Sequence, residues 1–422
     1  MSSTCRCVSP NSPWRAVISL MGVDAGRARD GGAGRAFPVT AQRAQQDRCE
    51  GGGQTATVRT IGVEEEFLLV SEDGSPRAVA AAVLQHASSQ DGDDDPDQPG
   101  GSLEKEFTQE QIETSTHPCA DLPTLLEEVR AGRWHADSSA QHAGARIAAL
   151  GTSPRDVEPT VVVNRRAQDI AEAFAQTARD QLTCGCHVHV EVADDDEGVR
   201  VVDHLRRWNP VLLALSANSP FWRGDDSGYQ SFRSQVWGRW PTAGATAPFG
   251  DAETYRQTVL GLVGSGTILD TGMIYFDARL SAKYPTVEVR VADVCLDPAD
   301  AVLLGGLVRA LAETAVTLPV GSGPQPRAEE VRVAGWRAAR SGLTGDLVSP
   351  ETGRPVPART AVDELVRHVT PALTELGDLD WVTEHLRLLL ERGNGAQQQR
   401  TWRHEGADDA ELVRRAVRST LA

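Results

Sequence analysis

The stretch Pro285-Thr286-Val287-Glu288-Val289-Arg290-Val291-Ala292-Asp293-Val294 constrains this chain most. Its strict alternation predicts a β-strand. Val287, Val289 and Val291 take one face. Glu288 and Arg290 take the other, about 7 Å apart along the strand. Two further stretches share the design. Ile61-Gly62-Val63-Glu64-Glu65-Glu66-Phe67 puts Glu64 and Glu66 on one face. Cys186-His187-Val188-His189-Val190-Glu191 puts His187, His189 and Glu191 opposite Cys186, Val188 and Val190. A strand of this kind buries one side and exposes ligands on the other. Three of them point to a single sheet whose concave side holds cations and an anionic substrate.

Charge and cysteine usage narrow the function classes. The formal net charge is −17, which argues against nucleic acid or an anionic membrane as partner. Runs such as Asp93-Asp94-Asp95 and Asp194-Asp195-Asp196-Glu197 read as solvated loops. No apolar run is long enough to span a membrane. Seven irregularly spaced cysteines make no disulfide framework, and no secretory signal is visible, so a cytoplasmic location is expected. Cys184 and Cys186 lie near two histidines, but strand parity turns both away from them. Lys105 and Lys283 are the only lysines, which reads as coding bias and disfavours a Walker lysine or a Schiff base.

Residues 1–57 differ from the rest. They are Gly- and Arg-rich, net basic and without periodicity, and disorder is expected there. Val58 directly precedes the first strand, and initiation at Val58 would leave this extension untranslated. Peptides from upstream of Val58 in the natural protein would reject that idea. Residues 58–422 read as the catalytic domain. A strand over 60–70 comes first, then a short helical pattern at 78–87. Glu106 and Glu113 are seven apart, which is one side of a helix or opposite faces of an unbulged strand, and both arrangements stay open. Asp121 caps a helix expected to run to about Leu150. Further helices are expected at 167–180, from 198 with a break at Asn209-Pro210, at 251–263 and at 299–318, the last packed on the back of the sheet. Tyr229 and Arg233, four apart, would meet on a helix. Trp237 and Trp240 suit either core packing or stacking on a purine. Gly264-Ser265-Gly266-Thr267 could touch phosphate, and Thr271–Arg279 reads as a strand.

These motifs together resemble a known group. Gly62–Phe67, the Glu106…Glu113 pair, Cys184–Val190, Ala217–Trp222, Ala278–Asp293 and Gly395–Arg400 are similar to carboxylate–amine ligases of the glutamate–cysteine ligase type 2 family. Glu191 stands where that pattern has glycine. The resemblance implies an α+β, glutamine-synthetase-like catalytic fold: a curved, mainly antiparallel β-sheet funnel with flanking helices. It implies ATP-dependent joining of a carboxylate, typically the γ-carboxylate of glutamate, to an amine such as that of cysteine, in a homodimer.

The chemistry explains the residue types. A carboxylate becomes an acyl donor once ATP has phosphorylated it, and the several negative charges gathered in one cleft need hard divalent cations. Mg²⁺ prefers oxygen ligands in octahedral array, and Mn²⁺ also accepts imidazole. Glu64, Glu66, Glu106, Glu113, Glu288 and His187 are the candidate metal ligands. His187 and His189 share the cleft; one could ligate metal while the other contacts nucleotide. Arg233 and Arg290 are candidates for phosphate and substrate carboxylate, with Glu288 beside them in the catalytic set. Glu65, on the apolar side, suits a buried pair with an arginine. Two rivals remain at this stage: a metal-dependent hydrolase, since His-x-His also opens metal-binding barrels, and a non-catalytic relative that binds nucleotide or amino acid.

Overall fold

One sheet organises the molecule, and its two faces have opposite characters. The computed structural model describes residues 58–90 and 100–422, which lie in one compact unit. The expectations for residues 1–57 and for the run Asp93–Asp95 fall outside the described residues. The seven strands are β1 (Ile61–Val70), β2 (Ser102–Lys105), β3 (Gln111–Ser115), β4 (Arg146–Ala148), β5 (Gly185–Glu191), β6 (Ala278–Leu280) and β7 (Thr286–Asp293). They are ordered β2-β3-β1-β5-β7-β6, with β4 beside the end of β1. Every pairing is antiparallel. The three predicted strands are thus β1, β5 and β7, adjacent at the centre.

The alternation works as expected. Ile61 and Val63 of β1, Val188 and Val190 of β5, and Val287 and Val289 of β7 enter one core with the helices. The Pro298–Thr317 helix lies against β1 and β5 and is buried on nearly every side. That explains why its sequence is apolar all round. Asp297 caps it through the Ala299 amide at 2.9 Å. Each of its buried leucines contributes about 1.5–3 kcal/mol of transfer free energy. Glu65 pairs through the sheet's back with Arg133 of the Leu122–His142 helix, at 2.6 Å, both side chains fully buried. Arg133 also donates to the carbonyls of Cys295, Leu296 and Thr420.

Several boundaries differ from the sequence reading. The helix capped by Asp121 stops at His142, not near Leu150. Gly144 turns the chain at φ +68°, and residues 146–148 then pair with β1. The 167–180 helix is two pieces, Arg165–Phe174 and Gln176–Arg179, separated at Ala175 with φ +48°. Thr271–Arg279 is not one strand: a 3-10 turn occupies Thr271–Met273, and pairing with β7 begins only at Ala278. Glu106 and Glu113 lie neither on one helix nor on one strand. They sit on either side of the turn that joins β2 to β3, which brings them together. Among the described residues, no helix is long and apolar enough to cross a membrane.

Candidate active site

The polar face of the sheet lines a cleft of about 1580 Å³. Register decides what meets there. Glu64 lies opposite His187, Glu66 opposite Glu113, and His189 opposite Glu288. An irregularity in the pairing between Cys186 and Val188 restores the match between β5 and β7. The acidic and imidazole groups therefore form an oblique row across four strands. Among the described residues the row contains three sets of potential ligand atoms, each set within 4.8 Å: Glu64–His189–Glu288, Glu64–Glu113–His187, and Glu66–Glu106–Glu113. Glu64 and Glu113 each belong to two sets. All seven residues expected as ligands or neighbours of metal thus converge.

His187 is the hub. Its Nδ1 stands 3.4 Å from Glu64 Oε2, 3.8 Å from Glu113 and 3.9 Å from Glu288, and its Nε2 lies 3.8 Å from Glu66. Burial and the charge of Arg290 push its pKa down, against the raising effect of the neighbouring glutamates. His189 bonds through Nδ1 to Thr286 Oγ1 at 2.9 Å, which fixes the ring. His189 Nε2 stands 3.2 Å from Glu64 Oε1, and the buried Nε2 of His187 has no hydrogen-bond partner. Glu66 accepts from the Gly185 amide at 2.6 Å.

The carboxyls divide electrostatically. Burial and the neighbouring Glu66 charge push Glu106 up to about 8. Burial and the charges of Glu106, Glu64 and Glu66 push Glu113 well up. Burial alone would raise Glu64 too, but His187 and His189 hold it well below the carboxylate range. Glu288 is likewise held low against burial, by Arg290 and Arg279. Carboxyls this crowded cannot all ionise without added positive charge. Oxygen-rich sets plus two imidazole nitrogens fit hard or borderline divalent cations.

Two arginines fare differently. Arg290 lines the cleft and bonds Glu288, and its Nε has no partner. Arg233 does not line the cleft. It starts the Arg233–Trp237 helix and is only 2% exposed, packed against Gly185, where a Cβ would stand 2.2 Å from its Nη2. Its guanidinium lies over Trp237, which does line the cleft. Its expected direct contact with substrate is therefore corrected: it sits one layer behind the wall. Tyr229 precedes that helix and packs on Phe232 and Trp336, away from the cleft. The Gly264–Thr267 loop is also outside it. Trp240 is a core residue with one edge on the cleft, its Nε1 donating to Gln181 at 2.9 Å.

The sequence reading missed Arg279. It faces Glu288 from β6 with bonds of 2.7 and 3.2 Å. The β6–β7 register supplies that contact, and spacing along the chain does not reveal it. Lys105 ends a strand, β2. The antiparallel sheet removes the hydrolase barrel, which requires parallel strands alternating with helices.

The comparisons agree with this geometry. The model of the glutamate–cysteine ligase family 2 (GCS2) matches residues 60–419. A Streptomyces avermitilis protein provisionally named glutamate–cysteine ligase 2-1 is 49% identical over 367 residues, covering 86% of this chain and 99% of its own. A Streptomyces coelicolor relative, provisionally named glutamate–cysteine ligase 2, is 48% identical, covering 86% of this chain and 100% of its own. Among solved structures, glutamate–cysteine ligase of Francisella tularensis in complex with AMP superposes with TM-score 0.65 at 12% identity, over 87% of this chain and 90% of that one. The bifunctional glutathione synthetase of Pasteurella multocida gives TM-score 0.60 at 16% identity, over 86% of this chain and 52% of that one. The fold is the glutamine-synthetase-like one expected from the sequence. The chain belongs to glutamate–cysteine ligase family 2, and so to the ATP-dependent carboxylate–amine ligases.

Proposed function

We propose that this enzyme joins the γ-carboxylate of glutamate, or of a glutamate-like acid, to an amine such as cysteine, through an acyl phosphate formed with ATP. The observation that carries the reading is the row of carboxylates and imidazoles shared by β1, β3, β5 and β7 on one wall of the cleft. Residues 58–422 act as one catalytic domain in this reading. Glu64, Glu66, Glu106, Glu113 and Glu288, with His187 or His189, hold Mg²⁺ or Mn²⁺. When bound, these cations neutralise the negative charge of the triphosphate and the acid.

The chain's own groups do the rest. Arg290, on the cleft wall at the same level as His187, offers its unpartnered Nε to a transferring phosphoryl group or the substrate carboxylate. Charge held at the transferring group stabilises phosphoryl transfer most when it is fixed before reaction. Arg233 supports the Trp237 wall beside it. The walls of the cleft limit water, which would otherwise hydrolyse an activated acid. A homodimer in the cytoplasm is part of the same proposal.

The test is ADP release with glutamate and a panel of amines, with products identified by mass spectrometry. A γ-glutamyl amide that forms only when acid, amine and ATP are all present supports the proposal. ADP release indifferent to acid and amine, or no amide from any amine, sinks it.

A further inference from the structure

Five arginines line the cleft, and each is already engaged. Arg165 bonds Asp169 at 3.0 Å, and Arg166 bonds Asp270 at 2.9 Å. Arg256 bonds Glu253, while Arg279 and Arg290 both bond Glu288. The cleft also contains Lys105 and Lys283. Both are exposed, and neither ammonium has a hydrogen bond or ion pair among the described residues. The chain has 42 Lys and Arg together, and these two are its only lysines. A bias strong enough to replace lysine everywhere else has left it at two places in one cleft.

Their positions are complementary. Lys105 ends β2, one edge of the sheet, next to Glu106 of the Glu66–Glu106–Glu113 set. Lys283 sits in the β6–β7 turn at the other edge, three residues before Thr286, which bonds His189 of the Glu64–His189–Glu288 set. The oblique row of ligand sets therefore has one lysine off each end. An ammonium on a flexible four-carbon stem follows a moving anion more readily than a planar guanidinium locked in a fork.

We infer that Lys105 and Lys283, whose ammonium groups have no partner among the described residues, bind the terminal anionic oxygens of the incoming substrates from opposite ends of the row. These oxygens are nucleotide phosphate or amino-acid carboxylate. The inference rests on the ligase reading for the identity of the substrates, but the binding it describes does not require turnover.

The experiment uses the full chain with Lys105→Met, Lys283→Met and the corresponding Lys→Arg variants. Arg387→Met, on an exposed helix, serves as the charge control. Equilibrium binding of Mg·ADP and of L-glutamate is measured by calorimetry at two salt concentrations, beside KM and kcat for each. Each Lys→Met variant is expected to weaken binding of one probe about tenfold. The corresponding KM rises by a similar factor, with a smaller change in kcat. Lys→Arg recovers most of the loss. The probe that weakens tells phosphate from carboxylate for each lysine. Binding of both probes within twofold of wild type in both Met variants overturns the inference, even if the enzyme makes γ-glutamyl amides. Lysine-dependent Mg·ADP binding by an enzyme that makes no amide upholds it and rejects the ligase reading instead.

Discussion

Arg279 and Glu288 face each other across the β6–β7 pair, joined by Nε to Oε2 at 2.7 Å and Nη2 to Oε1 at 3.2 Å. Arg279 Nη1 also bonds the Ile274 carbonyl at 2.7 Å, so the fork is fixed. A group that orients a metal ligand typically matters by 10–100-fold in metal affinity or activity. Arg279→Met is expected to lower turnover by about that factor and to raise the Mn²⁺ concentration for half-activation. Arg279→Lys should recover little, because one ammonium cannot make both bonds. Wild-type metal response in Arg279→Met would show that Glu288 needs no such support.

Glu64 belongs to two ligand sets at once. Glu64→Gln keeps the shape and removes one charge from both. Turnover should fall on the order of 10²-fold or more, with weaker Mn²⁺ binding. Glu64 is partly exposed, so the melting temperature should stay near wild type. Full activity at ordinary metal concentration would remove Glu64 from the site.

Glu65 tests the opposite side of the same strand. Breaking its buried pair with Arg133 leaves one uncompensated charge, which costs about 3–5 kcal/mol. Arg133→Met should lower stability in urea by that amount. The double variant Glu65→Met/Arg133→Met should regain a large part of it. If the double variant is as unstable as the single one, the carbonyl contacts of Arg133 dominate instead.

His204 and His368 lie outside the cleft, with Nε2 atoms 2.9 Å apart and rings stacked on each other, His368 also stacking on Trp208. Burial, then the charge of Arg207, pushes His204 down to about 3 and His368 down to about 4. Above pH 6.5 both rings are neutral whether the chain is folded or not. Below it the unfolded chain takes up protons that the folded pair refuses, so stability falls until the pH nears 4. The slope is at most about 1.4 kcal/mol per pH unit for each ring, and less for the more exposed His368. In His368→Gln, the stability lost in urea between pH 7.5 and 5 should shrink by about 1 kcal/mol. An unchanged loss assigns the acid sensitivity to other groups.

The central strands were legible because their alternation is local: Glu64, Glu66, His187, His189, Glu288 and Arg290 all reach the cleft from parity alone. Their mutual distances were not legible, since register joins residues far apart in the chain, such as Glu64 with His187 and His189 with Glu288. Arg279 was missed for another reason: it lies only nine positions from Glu288, but three-residue β6 has no alternation of its own to mark it as a strand paired with β7. Arg233 was misplaced because a guanidinium near a motif can stand behind the wall as easily as in it, and only Gly185, with no side chain, leaves room for it there. Glu106 and Glu113 stayed ambiguous because a chain reversal between them satisfies neither simple period. The long helix over 122–142 was overextended because residues 143–150 are mostly apolar and helix-compatible; pairing of 146–148 with β1 overrides that preference.

Glu64 and Glu113 are each common to two candidate ligand sets, so if more than one cation binds as proposed, occupancy along the row would not be a sum of separate isotherms. Loading one position would engage a carboxylate that its neighbour also needs. Metal titrations should deviate from simple hyperbolas, and a substitution at either shared glutamate should change the steepness of the curve as well as its midpoint.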